Sequence, residues 1–275
     1  SHVASRHWND YLIGWDSQSN PQPQMLEGWT LSDDAITYVF TLREGINFWD
    51  GTPIESDDVL ASLDKWHTQI DPVPKNVWDL STPTQAKVDS RSIKLTMSEA
   101  FGVFPFYMGQ SIVGIIPAAL ATQYPGSEPI PWDEVVGAGP ATIVDYSPGN
   151  VLTYGKFEGY NARTEPKAGY AGTRVMNLDG IKLIDVPDGN TKMAALETGQ
   201  LDFADKISSD FIEIARSNDS LQAIITSPDH SPGFFINKSI PPFSSYKARV
   251  AVQLVIHYDD AMAAFGPPDT YQLGH

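Results

Sequence analysis

Cysteine is absent from this chain. That absence excludes disulfides, thiolate metal ligands and thiol nucleophiles, and it leaves the redox compartment open. Positive charge is scarce, with 18 Lys and Arg against 34 Asp and Glu and a formal net charge of −16. A sequence-independent grip on nucleic acid or on an anionic membrane needs a basic face, so neither partner is expected. Long apolar runs are missing as well. The best of them, residues 112–121, is broken by Gly114 and Pro117 and falls far short of a membrane span. Enzyme motifs are equally lacking: there is no G-x-S-x-G elbow, P-loop, H-E-x-x-H or G-x-G-x-x-G. His67 and Asp71 lie four apart, but Pro72 follows, and the helix is expected to end between them. Catalytic residues, a metal and a cofactor are therefore not expected.

What remains is an ordinary globular composition, 41% hydrophobic and 19% charged over 275 residues, enough for one or two domains. Residues 1–12 read as part of an amphipathic helix, with Val3, His7, Trp8 and Tyr11 on one side. Residues 36–42 alternate: Ile36, Tyr38, Phe40 and Leu42 face one way, and Thr37, Val39 and Thr41 the other, as in a half-buried strand. Ser56 offers an N-cap hydroxyl to a helix whose apolar stripe is Val59, Leu60, Leu63 and Trp66, with Asp57 and Asp58 in its first turn. Residues 70–83, with three prolines and Trp78, read as a loop, and Ile93, Leu95 and Met97 as the inward face of a second strand.

Pro- and Gly-rich punctuation over 124–140 marks the strongest internal boundary. Beyond it, residues 142–146 and 151–157 read as paired strands around a turn at 147–150. The order that follows is a strand at 181–186, a helix at 191–198 closed by Gly199, and a strand at 201–204. A helix capped by Ser208 or Ser209 comes next, then a strand at 221–226. Such alternation implies an α/β domain with a partly parallel sheet. An extended piece at 234–237 is broken by Pro241 and Pro242, and a helix over 245–258 follows.

Aromatic content is the positive signal: seven Trp, 11 Tyr and 12 Phe, with Trp15, Trp49, Trp78 and Trp132 in expected loops. A loop tryptophan either plugs the rim of a core or lines a ligand cleft. Gly137 and Gly139, in the run Gly137-Ala138-Gly139-Pro140, either let two segments cross closely or bring backbone near a ligand.

The stretch PQPQMLEGWTLSDDAITYVFTLREGINFWDGTPIESDDVLASLDKW, residues 21–66, resembles the signature region of family 5 extracytoplasmic solute-binding proteins, the receptors of peptide-, nickel- and glutathione-type ABC importers. VGAGPATIVDYSPGN (136–150), IKLIDVPDGNTKMAALETGQLDFAD (181–205) and FFINKSIPPFSSYKARVAVQLVIHYDD (234–260) extend the resemblance to nearly the whole chain. Gly28 and Ala35 stand where the family usually has serine and glycine. Ala141 replaces an aromatic, and Val250 and His257 replace Gln and Asp.

The resemblance implies an α/β fold of the periplasmic-binding-protein type (type II, two-lobed) with an extra small α+β domain. On that template residues 1–15 begin the main domain, 16–135 form the small domain, 136–235 continue the main domain, and 236–275 are the crossing and first helix of a truncated second lobe. The ends read as cut, with no start methionine or export signal before Ser1.

The function implied is capture of a peptide-like solute in the periplasm or another extracytoplasmic space, with delivery to ABC transporter permease subunits. Phe235, Asn237, Gly137, Gly139, Trp15 and Trp78 are the candidate ligand-binding residues. Asn237 is read two ways, as a donor and acceptor on an extended edge shared with Phe235, or as a cap on the turn into Pro241. Alternatives are a carboxylate-dependent hydrolase on the same scaffold, a receptor for an oligosaccharide or metal chelate, and an interaction module without a small ligand.

Overall fold

A computed structural model describes residues 8–67, 72–109, 114–205, 207–225 and 235–257, with residues 260 and 262. The chain divides into two compact units, Ser1–Asp185 and Val186–His275.

The first unit is built on three sheets. β1 (Ile13–Trp15) and β2 (Pro21–Pro23) form a short antiparallel pair. β3 (Leu26–Leu31), β4 (Thr37–Leu42), β5 (Thr84–Lys87) and β6 (Ser92–Thr96) form an antiparallel sheet in the order β3-β4-β6-β5. The expected alternation is realised: Tyr38, Phe40 and Leu42 are buried, and across the ladder Phe40 faces Ile93 and Tyr38 faces Leu95. Helix α1 (Ser56–His67) lays Val59, Leu63 and Trp66 into the same core. By truncation, a side chain such as Phe40 is worth about 3–5 kcal/mol here.

Two local readings are corrected. The expected loop at 70–83 contains a helix, α2 (Pro72–Ser81). Its prolines stand in the first turn, where the missing N–H would have had no helical partner anyway. Ser56 does not cap α1, because its hydroxyl is drawn away to the Asp89 carbonyl. Asp58 reaches back instead, accepting from the Glu55 N–H at 2.9 Å in a capping-box arrangement. The same carboxylate accepts from Ala118 N–H at 2.8 Å, at the start of a helix whose N-cap, Pro117, offers no side-chain acceptor. Ser62 adds a reciprocal pair with Ile116, donating to its carbonyl and accepting from its N–H.

Helix α3 (Phe104–Met108) and helix α4 (Ala118–Gln123) close the core around Phe104 and Met108. The third sheet, β7 (Ala141–Ser147), β8 (Val151–Lys156) and β9 (Gly180–Ile184), is antiparallel, with Ile143, Tyr154 and Ile181 in register. Ala141, Tyr154 and Met176 form a second, smaller core. At the N-terminus residues 1–7 lie outside the described residues. Residues 9–12 are not helical, because Tyr11 pairs in an isolated bridge with Gly114 and the chain enters β1.

In the second unit, helix α5 (Gly189–Glu197) is capped by Asp188, which accepts from Thr191 N–H at 2.8 Å. Ser208 caps a single 3₁₀ turn, Ser209–Phe211, which leads into α6 (Ile212–Arg216). Helix α7 (Tyr246–Val255) follows. The strands expected at 201–204 and 221–226 are not formed among the described residues, and every described strand pairing in the chain is antiparallel. Their apolar side chains find little cover: Phe203 and Ile224 are exposed, and Met193 is the one buried hydrophobic among the described residues of this unit.

Candidate functional site

Residues 8–15 run through the first unit as a spine from which several candidate groups hang. Trp8 accepts from Gly139 N–H at 3.1 Å, and its ring meets Trp49 edge-on at 6.0 Å. Trp49 in turn donates its backbone N–H to the Gly137 carbonyl at 3.0 Å. A Cβ added at Gly137 would lie 2.3 Å from the Trp8 carbonyl and 2.7 Å from Trp49 Cζ2. Gly137 and Gly139 are both buried. Of the two readings of this run, the close crossing is the one these contacts explain.

Trp15 is in β1, not in a loop. Its indole stacks on Phe106 at 4.8 Å and donates to the Phe106 carbonyl at 2.8 Å. Its backbone carbonyl accepts from Tyr170 N–H at 2.7 Å. Trp78 stands on α2, also not in a loop. It is half-buried, stacked on His67 at 4.9 Å and edge-on to Trp66 at 5.9 Å. Trp15 and Trp78 thus belong to separate aromatic clusters. Trp132 is exposed and meets Tyr146 edge-on.

Phe235 and Asn237 belong to the second unit. Phe235 is fully exposed. Asn237 Oδ1 accepts from Ser239 N–H at 3.0 Å, which is the turn-capping arrangement, and residues 235–237 carry no strand pairing.

A buried ionic cluster escaped the sequence reading. Asp10 is 1% exposed and accepts from Arg174 Nη1 at 2.7 Å, from the Tyr160 hydroxyl at 2.7 Å and from Tyr11 N–H at 3.0 Å. Burial, with the Asp10 charge beside it, pushes the Tyr160 phenol well above its ordinary value. At Arg174 burial is the largest single influence and works against the charge, but Asp10 together with Tyr160 and Tyr11 holds the guanidinium above its usual value. Nearby, Arg43 Nε and Arg163 Nη1 both donate to the Gln24 carbonyl at 3.2 Å. Burial lowers Arg43, opposed by Asp10. The partners of Asp10 stand 150 and 164 positions away, so no spacing rule reaches them. The one local hint is a charge set beside the apolar run from Tyr11 to Ile13.

Among the described residues no group of three His, Asp or Glu could hold a metal ion, and no helix is long and apolar enough to cross a membrane.

This arrangement of sheets and helices is a mixed α/β fold that solved binding proteins share. The dipeptide binding protein from Pseudoalteromonas sp. SM9913, solved in complex with Met-Leu, matches with a TM-score of 0.74 over 96% of this chain and 54% of its own, at 19% identity. The PBP AgaA from A. tumefaciens R10, solved with agropinic acid, matches with a TM-score of 0.64 over 79% of this chain and 42% of its own, at 26% identity.

The chain belongs to the bacterial extracellular solute-binding proteins, family 5, whose middle region matches residues 20–270. Among curated relatives, the "Probable peptide ABC transporter periplasmic-binding protein y4tO" of Sinorhizobium fredii is 29% identical over 96% of this chain and 50% of its own length. The "Glutathione-binding protein GsiB" of Salmonella paratyphi A is 26% identical over 98% of this chain and 51% of its own length. The chain therefore spans about half the length of the curated relatives it matches.

Proposed function

We propose that this chain is part of the solute-binding component of an ABC importer. It captures a peptide-like solute outside the cytoplasmic membrane, in the periplasm or its equivalent, and delivers it unaltered to permease subunits. The family match over residues 20–270 carries this reading. The peptide and glutathione names of the curated relatives support the solute class. On this reading Trp15 and Trp78 are the candidates for aromatic contact with the solute in the first unit, and Phe235 and Asn237 are candidates of the second unit taken by itself. Gly137 and Gly139 serve the chain crossing beside them.

Non-enzymatic capture follows from the family match over residues 20–270. The experiment is calorimetric titration of the full-length protein with the dipeptide Met-Leu, glutathione and agropinic acid, followed by chromatography of the mixture. One-to-one binding with the solute recovered intact supports the proposal. Cleavage of the peptide overturns it in favour of a hydrolase. Binding of agropinic acid alone moves the solute out of the peptide class.

A further inference from the structure

Between β8 and β9 the chain leaves the sheet for residues 157–179, and the middle of this excursion is lashed to the spine at 9–15. Both of its ends meet one carboxylate. The Tyr160 hydroxyl takes Asp10 Oδ2 and Arg174 Nη1 takes Asp10 Oδ1, each at 2.7 Å, and the same Nη1 reaches the Asn9 carbonyl at 3.2 Å. Between those ends, Arg163 Nη1 donates to the Leu26 carbonyl at 2.8 Å. Asn161 Nδ2 donates to the carbonyls of Glu44 and Gly45 at 3.2 and 3.1 Å. Thr173 closes the base a second time, its hydroxyl donating to the Arg163 and Glu165 carbonyls at 2.6 and 2.7 Å.

The crest of the loop sits against β1, backbone on backbone. Tyr170 N–H donates to the Trp15 carbonyl at 2.7 Å. A Cβ at Gly14 would lie 2.5 Å from the Tyr170 carbonyl, and one at Gly169 would lie 2.7 Å from the Trp15 carbonyl, so the approach needs both glycines.

We infer that residues 160–174 are a strap, closed at its base on Asp10, which fixes the backbone of Trp15, and that Tyr160 and Arg174 are positioning residues for that tryptophan. The latch is strong because the Asp10 carboxylate is out of water: removing Arg174 would strand its buried charge. With the strap closed, the Trp15 carbonyl is occupied and its indole is held on Phe106, so this wall is set before any solute arrives. Preorganisation of this kind saves the ordering cost at binding. Its consequence for affinity rests on the proposed function, in which Trp15 faces the solute.

Hydrogen exchange on the full-length protein tests the strap directly. Tyr160→Phe removes one hydrogen bond to a buried carboxylate and little volume. The Tyr170 and Thr173 amides are expected to exchange roughly tenfold or more faster, while the Phe40 and Leu95 amides of the other sheet keep wild-type rates. Arg174→Lys, which keeps the charge, should give a smaller acceleration at the same two amides than Arg174→Met. Uniform acceleration across the β3-β4-β6-β5 and β7-β8-β9 sheets, or unchanged exchange at Tyr170, overturns the strap.

Affinity for the dipeptide Met-Leu then separates the strap from the reading it rests on. Tyr160→Phe should weaken binding roughly three- to tenfold in the wild-type background and not at all beside Trp15→Phe. Equal loss in both backgrounds refutes positioning through Trp15. Wild-type affinity in Trp15→Phe alone refutes the placement of Trp15 in the solute site, and the strap then stands or falls on exchange.

Discussion

Replacing Asp58 by alanine should uncouple two helices at once. The carboxylate is half-buried and serves two donors, Glu55 N–H at 2.9 Å on its own helix and Ala118 N–H at 2.8 Å at the head of α4. Loss of a helix cap costs about 1 kcal/mol. Stranding the second donor adds about 1–2 kcal/mol, since the Ala118 backbone is only partly open to water. Asp58→Ala is therefore expected to lose about 2–3 kcal/mol, and Asp58→Asn, which keeps one acceptor, about half of that.

Urea unfolding at pH 7 reads the difference as a shift in midpoint at constant slope. The pH dependence gives an independent check. Burial raises the Asp58 carboxyl above its usual value, and neighbouring Asp57 and Glu55 add to the rise against the two backbone donors. A raised carboxyl binds its proton more tightly in the folded than in the unfolded chain. Its contribution is therefore present at low pH and is lost as pH rises from the unfolded value through the folded one. The deficit of Asp58→Asn relative to wild type should accordingly be larger near pH 3 than near pH 7. A deficit under 0.5 kcal/mol for Asp58→Ala, or one that grows with pH for Asp58→Asn, would refute this account of the clip.

Ala35 adopts φ 57, a left-handed conformation that costs a residue with a Cβ about 1–2 kcal/mol. The family's usual glycine at this turn is therefore not an idle difference, and Ala35→Gly should raise the urea midpoint by up to about 1 kcal/mol of stability. Gly137→Ala should cost about 1–3 kcal/mol in thermal unfolding, because the new methyl meets the Trp8 backbone. Unchanged stability with weakened solute binding would instead make Gly137 a ligand contact. Gln24 is buried and neither side-chain amide atom is hydrogen-bonded among the described residues, so Gln24→Met should be neutral or stabilising in the same assay. A loss above about 2 kcal/mol would mean that the amide is satisfied by an internal water.

Legibility along the chain tracked the range of the interaction. β4 and β6 could be read because one face of each is buried, and a period of two survives any detail of packing. Helix α1 was equally plain from Val59, Leu63 and Trp66. Its cap was misassigned, since Ser56 and Asp58 are both good acceptors locally and only the position of Asp89 decides which one is free. Helix α2 was hidden by prolines that look like breakers and stand where a helix tolerates them. In the second unit the apolar runs at 201–204 and 221–225 have strand composition but no ladder among the described residues, because strand composition forms a strand only where a neighbour pairs with it. The ion pair of Asp10 with Arg174 spans 164 positions, and its one local trace is a charge beside the apolar run from Tyr11 to Ile13. Of the candidate ligand groups, the glycines lie at a close chain crossing and Trp78 is half-buried against His67 and Trp66, contacts that composition alone could not foresee.

The most direct test of the central claim is mass spectrometry of small molecules released when the full-length protein, purified from cells grown on peptide-rich medium, is denatured. The account predicts a peptide-like solute, chemically intact and close to one per polypeptide. Release of nothing, or of matched cleavage products, would contradict it.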